Sequence, residues 1–198
     1  PEDMRDYERK LDKKGLKALL KRLAQEHPDK YREVSKKLSN VGRQAAFSTG
    51  SYSFGLRHMR QSMAARKMRE GMKKDLAAIY TSKASPEQKE QAILQTVGKY
   101  QKTLADTVMD EARDAGNPLA SQSISGARGN KFNLNSLLGA DLLYTDHRGD
   151  ALPIPVTRSY SMGLRPYEYF AGAFGARKGV IDLKAATQDA GFFGKQLV

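Results

Sequence analysis

Two apolar stripes separated by one strong helix start constrain this chain more than any other feature. Met68, Met72, Leu76 and Ile79 recur at helical spacing. Ile93, Val97, Tyr100, Leu104 and Val108 follow at intervals of four, three, four and four. Between them lies Ser85-Pro86-Glu87-Gln88. Serine caps a helix, proline fits its first position, and glutamine three residues after the serine completes a capping box. A helix over about 57–81 therefore ends just before a second begins. Two long helices joined by about four residues pair antiparallel. The pattern predicts a projecting helical hairpin over 57–116 with its tip near Thr81–Ser85. The methionines on its stripe read as packing residues rather than a cofactor box, because an unbranched thioether fills irregular gaps.

The flanks are organised differently. Leu16, Leu19, Leu20 and Leu23 make one helical face, and Pro28 opens a second helix with Val34, Leu38 and Val41 on one side. Ser48 to Ser53, including Ser51, reads as a loop, which closes a helical segment over 1–56. After Gly116-Asn117-Pro118 small and polar residues become frequent. Leu142-Leu143-Tyr144 and Leu152-Pro153-Ile154 read as two short strands around Asp146–Asp150, within a region over 117–165. Pro153 and Pro155 make the second an edge at best. Pro166 then opens a helical stretch to Val198, whose 33 residues would span roughly 50 Å at about 1.5 Å each. It carries Gly172, Gly175, Gly179, Gly191 and Gly194. At about 1 kcal/mol per interior glycine it is a poor isolated helix and needs surrounding structure. The fold class is mainly α: a helical segment, a long antiparallel hairpin, a small β-hairpin and loop region, and a long C-terminal helix over 166–198.

Composition excludes several functions. Apolar residues at 39% suffice for a core. Cysteine is absent, and His27, His58 and His147 are too scattered for a recognisable metal motif. There is no transmembrane run and no apolar signal segment at the start, so no membrane partner is expected. The net charge is +12. Its densest stretch is 57–74, where Arg57, Arg60, Arg66, Lys67, Arg69, Lys73 and Lys74 face one acid, Glu70. Such a run attracts a polyanion or forms a solvated helix face. Few aromatics are interleaved there, which disfavours a stacking platform for single strands.

Three motifs in order carry a resemblance. Ser125-Gly126-Ala127-Arg128-Gly129-Asn130-Lys131 is similar to the opening of the F-loop region in the largest (beta-prime) subunit of multisubunit RNA polymerases. Gly163-Leu164-Arg165-Pro166-Tyr167-Glu168-Tyr169-Phe170 resembles the lead-in to that family's bridge helix. Gly175-Ala176-Arg177-Lys178-Gly179 resembles its core block, with Asp182, Thr187, Gly191, Leu197 and Val198 at family spacing. Upstream, Lys13-Lys14-Gly15 through Ser53 resembles the pore segment, and the hairpin falls where the family places its funnel. The resemblance implies that Arg177, Lys178, Thr187 and Lys195 lie near template, nucleotide or supporting loops. It implies that Arg128, Asn130 and Lys131 brace the bridge helix from the F-loop, and that the partners are other polymerase subunits or fragments with DNA and RNA.

The resemblance also has gaps. The family's Asp-rich metal motif is not in this sequence, nor is the trigger loop expected after Val198. No catalytic residue or metal ligand is assigned, Asp141, Asp146 and Asp150 included, because they lack a compact carboxylate arrangement. The chain is not expected to be an enzyme on its own, and magnesium enters only if partner chains complete a polymerase site. Ala186, Gln188 and Phe192 depart from the family's bridge-helix pattern, as do Lys195 and Gln196 where arginines are usual. Phe174 replaces a histidine, Asn135, Ser136 and Asp141 replace polar and basic residues, and Arg57-His58 replaces an acidic pair. Replacing arginine removes a fork-shaped phosphate donor. Two main readings follow. One is a partial beta-prime-like subunit in the cytoplasm, supplying funnel and bridge-helix scaffold near template and nucleotide. The alternative is a catalytically inert, polymerase-derived structural or DNA-associated protein, for example a phage-encoded virion component in the host cytoplasm or a particle, partnered by phage structural proteins. A third is a regulator that mimics the funnel and enters a host polymerase channel.

Overall fold

Ser62 and Glu111 together decide where the hairpin begins. In the computed structural model, which describes residues 1–6, 8, 11–50 and 52–197, the Ser62 hydroxyl accepts the Ala65 amide at 3.0 Å. The Glu111 carboxylate accepts the amides of Met63 at 2.9 Å and Ala64 at 3.1 Å, and also the Ser62 hydroxyl. Three orphan amides at a positive helix end are thus satisfied, one of them locally and two by a carboxylate from the other helix. Helix α3 accordingly runs Met63–Thr81, six residues short of the expected start at 57. The segment Leu56–His58 forms only a single 3-10 turn. Ser51 and Val198, read as part of a loop and as the end of the last helix, lie outside the described residues.

The second hairpin helix, α4, is Pro86–Asp114. Ser85 and Gln88 exchange bonds as the capping box requires, at 3.3 and 3.0 Å. At the tip, Lys89 Nζ donates to the Tyr80 carbonyl at 3.0 Å, which occupies an acceptor at the end of α3. Met72 and Leu76 of α3 are buried against Ile93, Val97, Leu104 and Val108 of α4, and Met68 and Ile79 are packed against the same cluster. Tyr100 bridges the pair through its hydroxyl to Asp75 at 2.7 Å.

Two short helices dock on the same spine. Helix α5 (Pro118–Ser125) is capped by Asn117, and α6 (Lys131–Leu138) by Asn130. Ala120, Leu134 and Leu138 extend the core. The expected β-hairpin is reduced to two isolated antiparallel bridges, Leu142 with Val156 and Thr145 with Ala151. Pro153 and Pro155 cannot donate to a ladder. Leu142, fully buried, sits at φ +66°, a left-handed backbone that also interrupts regular extension.

The first two helices are α1 (Lys13–Glu26) and α2 (Tyr31–Thr49). Asp12 caps α1 by accepting the Gly15 amide at 2.6 Å. Of the leucine face only Leu23 is fully buried. No residue of α2 is buried, Val34 and Leu38 are half-covered, and Val41 is exposed. The last helical stretch is α7 (Pro166–Val180), a π-helical turn over Ile181–Ala185, and α8 (Ala186–Gln196). Among the described residues no helix is long and apolar enough to cross a membrane.

Burial pushes the Glu111 carboxyl up, but the bonds from Ser62, Met63 and Ala64 outweigh it and hold the group below the ordinary glutamate value. A depressed carboxylate contributes stability above its unfolded pKa and loses it as the pH falls through the folded one. Chemical denaturation followed by circular dichroism should therefore show stability falling below about pH 4.3. Glu111→Gln should lower stability at pH 7 and flatten that acid slope; an unchanged slope would contradict the assignment.

Candidate functional site

The stretch with the family-like motifs is α7 to α8, and two contacts fix where it starts. The first is Glu168, fully buried. Its Oε1 accepts the Thr157 amide at 2.8 Å, the Thr157 hydroxyl at 3.1 Å and the Arg158 amide at 3.2 Å. Its Oε2 accepts the Arg165 amide at 2.9 Å. One carboxylate thereby caps α7 and ties it to the 157–158 segment. A buried carboxylate is tolerable only with its lone pairs so filled.

The second contact is Tyr144. Its ring lies in a notch made by two glycines: a Cβ on Gly175 would stand 2.5 Å from Tyr144 Cδ1, and one on Gly172 3.5 Å from the same ring. The close approach at these glycines is made by a side chain. The Tyr144 hydroxyl donates to Asp141 and lies 3.1 Å from the Tyr160 hydroxyl, and Ser136 donates to the same Asp141. Burial and these bonds push the Tyr144 hydroxyl far above its ordinary range. Asp141 is thus an internal acceptor that orients the tyrosine.

Past this seat the helix is bare. A Cβ at Gly179, Gly191 or Gly194 would meet nothing within 4 Å. Leu183, Phe192, Phe193 and Leu197 are all more than 60% exposed. Such a row of apolar side chains, on a glycine-rich helix, is an exposed apolar surface of the kind found at interaction sites.

The residues singled out from sequence fall in two places. Arg177 is exposed, with no ion pair among the described residues, whereas Lys178 pairs with Asp182 at 3.0 Å one turn on. Thr187 donates its hydroxyl to the Leu183 carbonyl inside the helix, and Lys195 is exposed near the end of α8. These four are strung along one rod rather than gathered in a pocket. In the other group, Asn130 accepts the amides of Phe132 at 2.9 Å and Asn133 at 3.0 Å, which is a helix cap. Lys131 pairs with Asp106 of α4 at 2.8 Å and lies 5.5 Å from the Phe132 ring centre. Arg128 lines a groove with Arg113, Tyr52, Phe54 and Ile124. In the basic stretch, Arg69 is buried with its Nη1 on the Gly139 carbonyl at 3.0 Å, and Arg66 pairs with Glu70 at 3.3 Å. Those two charges are used internally.

Asp146 accepts the amides of Arg148 at 2.8 Å and Asp150 at 3.0 Å, a turn rather than a metal ligand set. His27, read as isolated, does gather with Asp3 and Glu26, whose ligand atoms lie within 4.8 Å of one another. His27 Nε2 faces Asp3 at 3.1 Å and Glu26 receives Arg22 at 2.8 Å, so the exposed group is internally neutralised. Sequence reading missed Glu168 and Tyr144 as anchors. The first had a local signal, a glutamate three residues after the helix-opening Arg165.

The chain is similar to subunits of DNA-directed RNA polymerases. It is 28% identical, across its whole length, to 12% of the beta-prime subunit of Petrotoga mobilis. It is 42% identical over 86 residues, 43% of this chain and 7% of the relative, to the beta-prime subunit of Mesoplasma florum. It is 42% identical over 82 residues, 41% of this chain and 6% of the relative, to the beta'' subunit of Welwitschia mirabilis. The chain thus spans about an eighth or less of the length of these relatives. No family model matches it.

The tyrosine seat makes a sign-changing expectation. Gly175→Ala should destabilise the chain by about 1–3 kcal/mol through overpacking on the Tyr144 ring. In a Tyr144→Ala background the same substitution should stabilise by up to about 1 kcal/mol, because only the helix propensity gain remains. Gly179→Ala, with open space around it, should stabilise in either background. Urea unfolding of the four-member cycle measures this, and additive effects at 144 and 175 would rule the contact out.

Proposed function

We propose that this chain, a homologue of the beta-prime and beta'' subunits of DNA-directed RNA polymerase, is a partial subunit that supplies funnel and bridge-helix scaffold to a polymerase completed by other polypeptides. The observation that carries the reading is similarity running collinearly through the whole chain. Segments 57–116, 117–165 and 166–198 then take the places of funnel, F-loop region and bridge helix. The bare flank of α7–α8 supports it independently, since a rod with exposed Leu183, Phe192, Phe193 and Leu197 needs a cradle that this chain does not supply. Partner subunits are the occupant with the right chemistry, and DNA and RNA lie beside that helix.

On this reading Arg177, exposed and without an ion pair, is the residue best placed to meet a phosphate or a neighbouring acidic loop. Lys195 offers a second exposed charge. Lys178 serves first to stiffen the helix through Asp182, and Thr187 bonds its own backbone, so any contact it makes to a template base is through its methyl group or a hydroxyl lone pair. Asn130 acts by capping α6, Lys131 by tying it to α4 through Asp106, and Arg128 by lining the groove beside it. Metal ions for nucleotide addition would be held by carboxylates of partner chains. The relatives reported above are all polymerase subunits, and no observation favours the virion reading. The working compartment is that of transcription, the cytoplasm.

The test is recovery of the chain from its natural source under mild conditions, with template-directed RNA synthesis as the readout. Polymerase subunits or fragments should co-purify, and synthesis should require magnesium and those partners. Arg177→Ala should lower the elongation rate by about tenfold or less, the value of one charge-assisted contact of about 1.4 kcal/mol. Recovery of the chain with no polymerase subunit would sink the reading.

A further inference from the structure

A cleft of about 320 Å³ opens between the outer face of α3 and the start of α7. Its walls carry Lys73 and Tyr80 from α3, Thr157 from the segment below, and Arg165 and Tyr167 from the α7 entry.

The charges around it are unbalanced. Lys73 and Arg165 have no carboxylate partner among the described residues; Arg165 Nη1 instead reaches the Tyr167 hydroxyl at 3.3 Å. Arg69, on the same helix as Lys73, is held below its ordinary value by burial and then by the charge of Arg158. Glu168 is the nearby acid, and its oxygens are filled by four donors behind Thr157. An anion entering the cleft therefore meets two exposed cations without an ion pair, whose attraction is partly screened by solvent and is strongest at low salt. Two phenol rings stand at the same opening. Tyr80 and Tyr167 both line it, and burial and then Tyr167 push the Tyr80 hydroxyl up. Cations that fork onto phosphate oxygens beside aromatic faces that stack a base are the two halves of nucleotide recognition, and the volume lies in the range of small-ligand clefts.

We propose that this cleft binds the oligophosphate of a mononucleotide through Lys73 and Arg165, with the base against Tyr80 and Tyr167. The inference does not rest on the polymerase reading. Free pyrophosphate, a nucleotide and a nucleic-acid strand share the phosphate chemistry, and titration separates them. The full 198-residue chain is titrated calorimetrically at low salt with ATP, pyrophosphate, adenosine and a single-stranded oligonucleotide. ATP should bind saturably, pyrophosphate more weakly, adenosine not at all. Lys73→Gln with Arg165→Gln should weaken ATP at least tenfold. Tyr80→Ala should weaken ATP several-fold and leave pyrophosphate unchanged. Lys74→Gln alone, and Lys67→Gln with Lys74→Gln as an equal two-charge change on exposed lysines of the same helix, should each stay within twofold. All the substituted side chains are exposed, and an unchanged circular dichroism spectrum checks the fold of each variant. Tyrosine ring resonances of Tyr80 and Tyr167 should shift on adding ATP to the unsubstituted chain. The proposal is overturned if ATP gives no saturable heat, if either lysine control costs as much as the substitution of Lys73 with Arg165, or if only the oligonucleotide binds.

Discussion

The stripe Val97, Leu104, Val108 and Ala112 on α4 is the surface on which the body of this molecule is assembled. These residues are 5% exposed or less, and α3, α5 and α6 all rest against the helix that carries them. At about 25 cal/mol per Å² of apolar area removed from water, such a seam is the main favourable contribution available to a chain with no disulfide. It also explains the long reach of α4. A 29-residue helix has room for a partner along its outer half and for two short helices along its base. Glu111 then uses the base of the same helix to terminate its neighbour, so one element both packs and caps α3.

From that base, attachment proceeds by steps of decreasing strength. The segment around Leu142 and Val156 is anchored in the core by apolar burial. Glu168 and Tyr144 hang α7 from that segment by hydrogen bonds and one ring contact. Among the described residues nothing comparable holds α8. The molecule thus grades from a core held by its own apolar surface to a rod whose apolar side chains are exposed.

The hairpin was legible because its signals are local. Ser85, Pro86 and Gln88 act within one turn, and the stripes on either side repeat at helical spacing. The first residue of α3 was not, since Glu111, which satisfies its amides, lies far along the chain and nothing around Arg57 announces that acceptor. The strands near 142 and 154 were legible as a turn between extended segments, but Pro153, Pro155 and the left-handed Leu142 leave too few donors for a ladder. At the candidate site the glycines of the last helix were visible, and so was the need for a cradle. What they make room for was not: the ring of Tyr144 meets Gly175 only after the intervening chain has folded. Arg128, Asn130 and Lys131 were legible as a motif, yet two of them turn out to serve as a cap and a tie.

The π-helical turn at Ile181–Ala185 has a consequence for reading this region by position. Widening one turn to i→i+5 bonding takes up about one extra residue, and a residue is worth about 100° of rotation. Side chains before the turn and after it are therefore out of phase by roughly that angle relative to a continuous α-helix. Counting residues from the glycine notch onward keeps two sequences in step while the azimuth of everything from Ala186 is displaced. Thr187 and Lys195 point where a helical wheel drawn through Gly172 and Gly175 would not put them. A deletion of one residue within 181–185 would remove the extra residue and restore α winding, leaving Thr187 and Lys195 at about the azimuth they now hold, whereas re-forming a continuous α-helix at the present length would swing both to a different side.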